Sequence, residues 1–206
     1  VGSHWFFPLN EQTWQYGNCC IKAGMRYVIF NNWMDGILWH NDPDCVVARS
    51  RSNGVEYKEF LHFFPGMEIR EEDFGLNDHE YLAFLKLVWF TKGLFFLSDT
   101  WDFLEENRKE MLHKFSKPHN QSVTLVDYYE YDDVSLFKTT EGDLKIAAFN
   151  LSDSRVSFKI PSSALGINSW NFREMTENIN FVGEGESITF PDLPPHSGYI
   201  FELLEE

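Results

Sequence analysis

The chain has 206 residues, 43% hydrophobic and 24% charged, too apolar for disorder and long enough for one large domain or two small ones. Its formal charge of −15 opposes wrapping a polyphosphate backbone or an anionic membrane surface. No apolar run approaches the roughly 18–20 residues of a membrane span, so neither a nucleic acid nor a membrane is expected as a partner.

Taken in chain order, Asn10 is placed to cap a helix running to about Trp33, with Trp14, Ile21, Met25 and Val28 recurring at helical spacing. Gly36 follows as a stop. Ile37, Leu38 and Trp39 form an apolar run too short for a helix and suited to a buried strand. It feeds into the polar loop His40-Asn41-Asp42-Pro43-Asp44. Asn77, with Glu80 three residues on, has the form of a capping box and opens a second helix reaching about Lys92. After Gly93, residues 94–97 read as a second buried strand, and Ser98-Asp99-Thr100 as a second polar exit. Asp99 or Thr100 then caps a third helix to about Phe115. Helix, strand, polar loop, repeated in this way, is α/β grammar. Continuously apolar strands imply a parallel sheet covered on both faces. Two such strands cannot close a barrel or bury these helices.

Composition changes near residue 121. Six of the seven tryptophans precede it, and only Trp170 follows. Residues 1–121 carry 12 basic and 17 acidic side chains, net −5; residues 122–206 carry 5 and 15, net −10. The segment 116–121 has the punctuation of a linker. Beyond it, residues 123–130, 134–138, 144–151, 155–160, 170–175, 187–190 and 198–204 read as short strands separated by turn residues, the pattern of an antiparallel sandwich. Three cysteines, Cys19, Cys20 and Cys45, form no disulfide framework. The first residues lack a basic stretch followed by an apolar core. A reduced, cytoplasmic protein is expected.

Chemistry concentrates between Trp39 and Arg49. Pro43 removes a backbone donor and fixes φ, so the preceding strand is expected to end there. Asp42 and Asp44 flank this rigid bend beside the Trp39 indole. Carboxylates accept paired hydroxyl hydrogen bonds, and an aromatic face packs on the apolar side of a sugar ring, so the trio suits a polyol. The same spacing also serves two structural tasks, capping a helix or tying down the loop. His40, Asp42 and Asp44 form a short cluster of a kind that recurs by chance, and neither a metal nor a cofactor is expected. Asn41 is placed to fix the turn, and Arg49 to pair with an acidic neighbour. The remaining histidines fit no nucleophile–base pattern.

The run Trp39-His40-Asn41-Asp42-Pro43-Asp44-Cys45, with Arg49 beyond it, resembles the Trp-x-Asn-Asp-Pro-Asp-Cys signature of α-galactosidases (melibiases), retaining glycoside hydrolases of clan D, nearest to family 36. Leu97-Ser98-Asp99 with the segment 104–108 resembles that family's eighth-strand exit and following helix. Segments 147–152 and 194–199 resemble its terminal sandwich. The resemblance implies a (β/α)8 TIM barrel followed by a C-terminal β-sandwich. Residues 1–121 would supply the last two βα units of the barrel, with strands at 37–40 and 94–97, and residues 122–206 the sandwich. It also implies that Trp39, Asp42, Asp44 and Asp99 line a sugar pocket, with an α-galactoside as substrate.

Retaining hydrolysis needs a nucleophilic carboxylate and an acid/base carboxylate about 5–5.5 Å apart. In this family both stand on earlier barrel strands. No Lys-x-Asp strand end of the nucleophile type occurs here, so no catalytic residue is assigned within the chain. Val1 is expected to follow the acid/base Asp in a longer parent, and the chain alone is expected to be inactive. The expected partners are the sugar and either the missing barrel half or another copy of the chain. The alternatives are a non-catalytic carbohydrate-binding module on the sandwich and an assembly subunit.

Overall fold

The computed structural model describes residues 20–43, 45–50, 76–97, 99–117, 119–126 and 133–204. The chain separates into two compact units, Val1–Pro118 and His119–Glu206. No helix among the described residues is long and apolar enough to cross a membrane.

In the first unit, α1 (Ile21–Asn31) starts at Cys20, whose Sγ accepts from the Ala23 amide at 3.4 Å. The expected cap Asn10 and the stripe residue Trp14 lie outside the described residues. Ile21, Met25, Val28 and Ile29 form the buried stripe. A 3₁₀ turn, Asn32–Met34, extends the helix. Gly36 then turns the chain at φ +72°, a conformation open to glycine at little cost.

The expected strand at 37–40 is not formed. Gly36 donates to the Trp39 carbonyl at 2.7 Å, and Ile37 and Leu38 donate to Met34 at 3.1 and 3.0 Å, closing a tight turn. Ile37 and Leu38 are 76% and 66% exposed, so nothing covers them as a parallel strand requires. The strand instead follows the polar loop: β1 (Cys45–Val46) leads into Val47 and Ala48, and Val46 through Ala48 are fully buried. The loop 40–44 therefore enters a strand instead of leaving one.

Strand β1 pairs in parallel with β2 (Phe96–Leu97), Cys45 opposite Phe96 and Val46 opposite Leu97. The second strand is shorter than the expected 94–97. Between them runs α2 (Asp78–Phe90), whose capping box is complete: Glu80 N–H donates to Asn77 Oδ1 at 2.9 Å, and Asn77 N–H to Glu80 Oε2 at 2.8 Å. Helix α2 is buried almost all round, including Ala83, Phe84, Leu85, Leu87 and Val88, as a central helix must be. Its indole Trp89 sits edge-on to Phe115 at 5.3 Å.

The third helix departs from expectation at its start. A 3₁₀ turn, Trp101–Phe103, comes first, and α3 (Glu106–Phe115) follows with Glu105 before it. Neither Asp99 nor Thr100 caps it. The Asp99 carboxylate is held elsewhere, as described below.

The second unit is a six-stranded antiparallel sheet in the order β3-β4-β5-β10-β7-β8, with a separate pair β6-β9. The strands are β3 (Val123–Leu125), β4 (Val134–Thr139), β5 (Lys145–Asn150), β6 (Lys159–Pro161), β7 (Ser169–Glu174), β8 (Asn180–Glu184), β9 (Ser187–Thr189) and β10 (Ser197–Leu203). Strand β8 was not expected: Gly183 and Glu184 read as turn residues, yet they complete an edge. The expected strand 155–160 forms only at its end, as β6.

One core lies between the two sheets. Leu136, Ile146, Ala148, Phe172 and Phe201 from the large sheet meet Phe158, Ile160, Ile188 and Phe190 from the small pair. Phe158 stacks on Phe190 at 4.5 Å, and Phe181 stands edge-on to Phe201 at 5.1 Å. Each fully buried phenylalanine stabilises the fold by about 1.5–3 kcal/mol over leaving it exposed. Two of this unit's buried polar side chains fasten its loops. Asn150 donates to the carbonyls of Ser154, Leu193 and Pro194 at 2.8, 3.1 and 2.9 Å and accepts from Ser152, fastening two loops to one strand end. Glu174 accepts from the Thr176 and Glu177 amides at 2.5 Å, from the Thr176 hydroxyl at 2.9 Å and from the Ile200 amide at 3.2 Å, so its buried carboxylate is satisfied.

Candidate functional site

The Trp39–Asp44 loop is built on two anchors. Asn41 is the first: it is buried, its amide donates to Asp35 Oδ1 at 2.7 Å, and its Oδ1 accepts the Trp39 indole N–H at 3.1 Å. Asn41 thus fixes the turn and sets the plane of the indole. Pro43 is the second. It seats against Gly93, where a Cβ would stand 3.2 Å from two ring carbons, so glycine after α2 is what lets the loop close. On this loop Trp39 and Asp42 are exposed. The His40 ring lies at the surface, its Nδ1 3.8 Å from Asp35. Asp44 lies outside the described residues. The loop therefore presents an indole and a carboxylate on a backbone that is held from beneath.

Asp99 occupies a different position. It follows β2 at its carboxyl end, whereas Trp39 and Asp42 precede β1 at its amino end. In a parallel pair these are opposite ends. Asp99 forms a buried ion pair with Arg49, and its Oδ2 accepts the Ala48 and Arg49 amides at 2.6 and 3.2 Å. The structure brings Trp39 and Asp42 together on one loop and sets Asp99 apart from them.

A second charged side chain completes the carboxyl end. Arg108, on α3, is buried and donates to the carbonyls of Ala48 and Leu76 at 2.9 and 2.8 Å and to Asp78 at 2.6 Å. Its Nε stands 3.2 Å from Glu105, whose other oxygen accepts Ser50 Oγ at 2.6 Å. Leu76 N–H donates to the Arg49 carbonyl at 3.1 Å. Both polar groups of Ala48 and of Arg49 are thus satisfied across the chain. Removing one partner from such a buried pair costs about 3–5 kcal/mol. The Arg108 guanidinium also lies 5.0 Å over the Tyr81 ring, and Tyr81 donates its hydroxyl to the Arg108 carbonyl at 2.8 Å. Burial pushes the Tyr81 phenol well above its ordinary range, with Arg108 acting in the opposite direction. Sequence reading marked Arg49 and missed Arg108. The available signal was an arginine on the apolar side of α3, four residues before Leu112.

Among the described residues no group of three or more His, Cys, Asp or Glu is placed to hold a metal ion. Cys20 is buried and Cys45 partly covered.

No protein-family model matches the chain, and no curated protein matches it in sequence. Solved structures do match in fold. A putative α-N-acetylgalactosaminidase from Bacillus halodurans superposes with a TM-score of 0.67 at 14% identity, over 100% of this chain and 48% of its own. A GH27 β-L-arabinopyranosidase from Geobacillus stearothermophilus gives 0.62 at 16%, over 89% of this chain and 41% of its own. An α-galactosidase from Saccharomyces cerevisiae, solved with raffinose, gives 0.61 at 12%, over 99% and 57%. The chain has the fold of a portion of these glycoside hydrolases and spans about half their length.

Proposed function

We propose that this chain is the C-terminal portion of a retaining glycoside hydrolase that cleaves terminal α-galactosides. In this reading residues 1–121 are the last βα units of a (β/α)8 barrel and residues 122–206 its terminal β-sandwich. The observation that carries the proposal is the coincidence of two independent features. The fold follows sugar-cleaving enzymes over 89–100% of the chain, and the exposed Trp39 and Asp42 lie in the segment whose sequence resembles family 36. The matched GH27 enzyme leaves the choice between families 27 and 36 to the loop, and the Asn-Asp-Pro-Asp-Cys run favours family 36.

Trp39, Asp42 and Asp44 are assigned to sugar contact, the indole against the ring and the carboxylates on its hydroxyls. Asp99 enters with a different task. Its carboxylate is engaged by Ala48 and Arg49, so it holds the carboxyl end of the strand pair, the end opposite Trp39 and Asp42. The chemistry is double displacement. One Asp forms the glycosyl-enzyme; a second protonates the leaving oxygen and then activates water. Both carboxylates belong to earlier barrel strands. The odd, sparse cysteines fit a cytoplasmic site of action.

The test uses the complete product of the gene and a chromogenic α-galactoside. NMR of the first-formed sugar should show the α anomer, the mark of retention. Asp42→Asn and Trp39→Ala should each lower kcat/KM by about tenfold or more while leaving the thermal transition in place. Inversion, or indifference to both substitutions, contradicts the assignment. A non-catalytic role for the sandwich has less support: its single tryptophan, Trp170, is buried and offers no sugar platform.

A further inference from the structure

A connected run of hydrogen bonds ties the 35–41 turn to the Trp39 ring. Asp35 leaves the 3₁₀ turn in an extended conformation, its side chain mostly covered. Its Oδ1 accepts the Asn41 amide at 2.7 Å. The buried Asn41 side chain turns back on the loop: its Oδ1 accepts the Trp39 indole N–H at 3.1 Å, and its Nδ2 reaches the Val28 carbonyl of α1 at 3.5 Å. The Trp39 carbonyl accepts from Gly36 at 2.7 Å, and Asp35 and Trp39 lie side by side as a parallel bridge. The residue is thus held both at its backbone and at its ring nitrogen, while 43% of it stays exposed. A surface tryptophan tied only by its backbone would exchange among staggered rotamers. Here the indole's single polar atom is engaged by a buried acceptor, so what the ring offers outward is its apolar face.

We infer that Asp35 and Asn41 are positioning residues for sugar recognition, acting through Trp39: they fix its indole as an apolar platform that packs on the C–H face of a pyranose and takes no part in bonding the hydroxyls. This rests on the assignment of Trp39 to sugar contact and names the groups that set the platform. Asp35 is the root of the arrangement, because a carboxylate accepting a backbone N–H makes one of the stronger classes of hydrogen bond. Asn41 carries that restraint to the ring. A ring already held in place loses less freedom when a ligand packs on it. Losing either link frees the indole without removing it.

The experiment has two arms. The first is NMR of the 206-residue chain carrying ¹⁵N in its indoles, with the Trp39 signal assigned by its loss in Trp39→Phe. Asn41→Ala should speed exchange of the Trp39 indole proton with water by about tenfold or more, and so should Asp35→Ala. Asp35→Asn keeps an oxygen at the same place and should stay close to the parent. The second arm is the kinetics of the complete product of the gene on a chromogenic α-galactoside. Asn41→Ala should raise KM by about fivefold with kcat unchanged, because a platform away from the reacting atoms serves ground state and transition state alike. Added to Trp39→Ala it should bring no further loss, since the group it acts through is gone. Should Asn41→Ala fail to fold, Asp35→Ala carries both arms. Indole exchange unmoved by these substitutions overturns the inference, as does a loss that adds in full to that of Trp39→Ala. An enzyme indifferent to Trp39→Ala overturns the proposed sugar contact itself, and the positioning role with it.

Discussion

The two units of this chain solve the burial problem differently. The sandwich closes on itself: two sheets enclose one cluster of aromatic and aliphatic side chains, and Val182 is its single large apolar residue at the surface among the described residues. Among the described residues the first unit buries one helix almost all round but leaves ten large apolar side chains exposed, from Tyr27 to Phe103. It relies on buried charge, with Arg108, Arg49 and Asp99 satisfying the backbone between its two short strands. Among the described residues, the first unit fastens its backbone with ions and exposes apolar side chains, whereas the second seals its core.

The sharpest break between the units comes from paired phenylalanine truncations. Phe190→Ala, in the sandwich core, should destabilise by about 4 kcal/mol in denaturant titration. Phe96→Ala should change stability by less than about 1 kcal/mol, since Phe96 is already 56% exposed. Comparable losses at both sites would erase the distinction. Next in size is Arg108→Met, which leaves the Ala48 and Leu76 carbonyls without their donor. A loss of about 3 kcal/mol is expected, at the lower end for a buried pair because Asp78 is exposed. Native-state hydrogen exchange should accelerate at α2 and the 47–50 segment and remain slow at β5 and β10.

A pH titration sharpens the same contrast within the sandwich. Burial raises the Tyr199 phenol from 10.0 to about 12, with Glu177 and Glu174 adding to the effect and Arg155 opposing it. The folded state keeps its proton where the unfolded state has lost it. The associated stability is complete below pH 10 and declines as pH rises to about 12. Tyr199→Phe should remove that step from the stability profile. The smallest effect is at the α2 cap. Asn77→Ala, losing the bond to Glu80 N–H, should cost about 1 kcal/mol and speed exchange in the first turn of the helix.

What could be read from sequence follows the range of the interactions concerned. The Asn77–Glu80 capping box is local, and it formed as written. The sandwich strand β5, an apolar run bounded by turn residues on both sides, was legible for the same reason. The strand assigned to Ile37–Trp39 failed because an apolar run becomes a strand only where another element covers it. Here the covered run was Cys45 to Ala48, rich in valine and equally visible. Strand β8 escaped notice because its glycine and glutamate carry turn character, and only pairing with β7 makes them extended. In the candidate site, Trp39, Asn41 and Asp42 could be placed on one loop by adjacency. The hold of Asp99 on Ala48, 51 residues away, and that of Arg108 on the same residue depend on tertiary contact that no spacing rule reports.

The central claim is that this polypeptide supplies one wall of a sugar-cleaving site and not its reacting carboxylates. Incubating the purified 206-residue chain with a chromogenic α-galactoside tests it most directly. The account predicts no release above the uncatalysed background at any protein concentration. Steady release in proportion to the amount of this chain, from preparations free of any longer product, would contradict it.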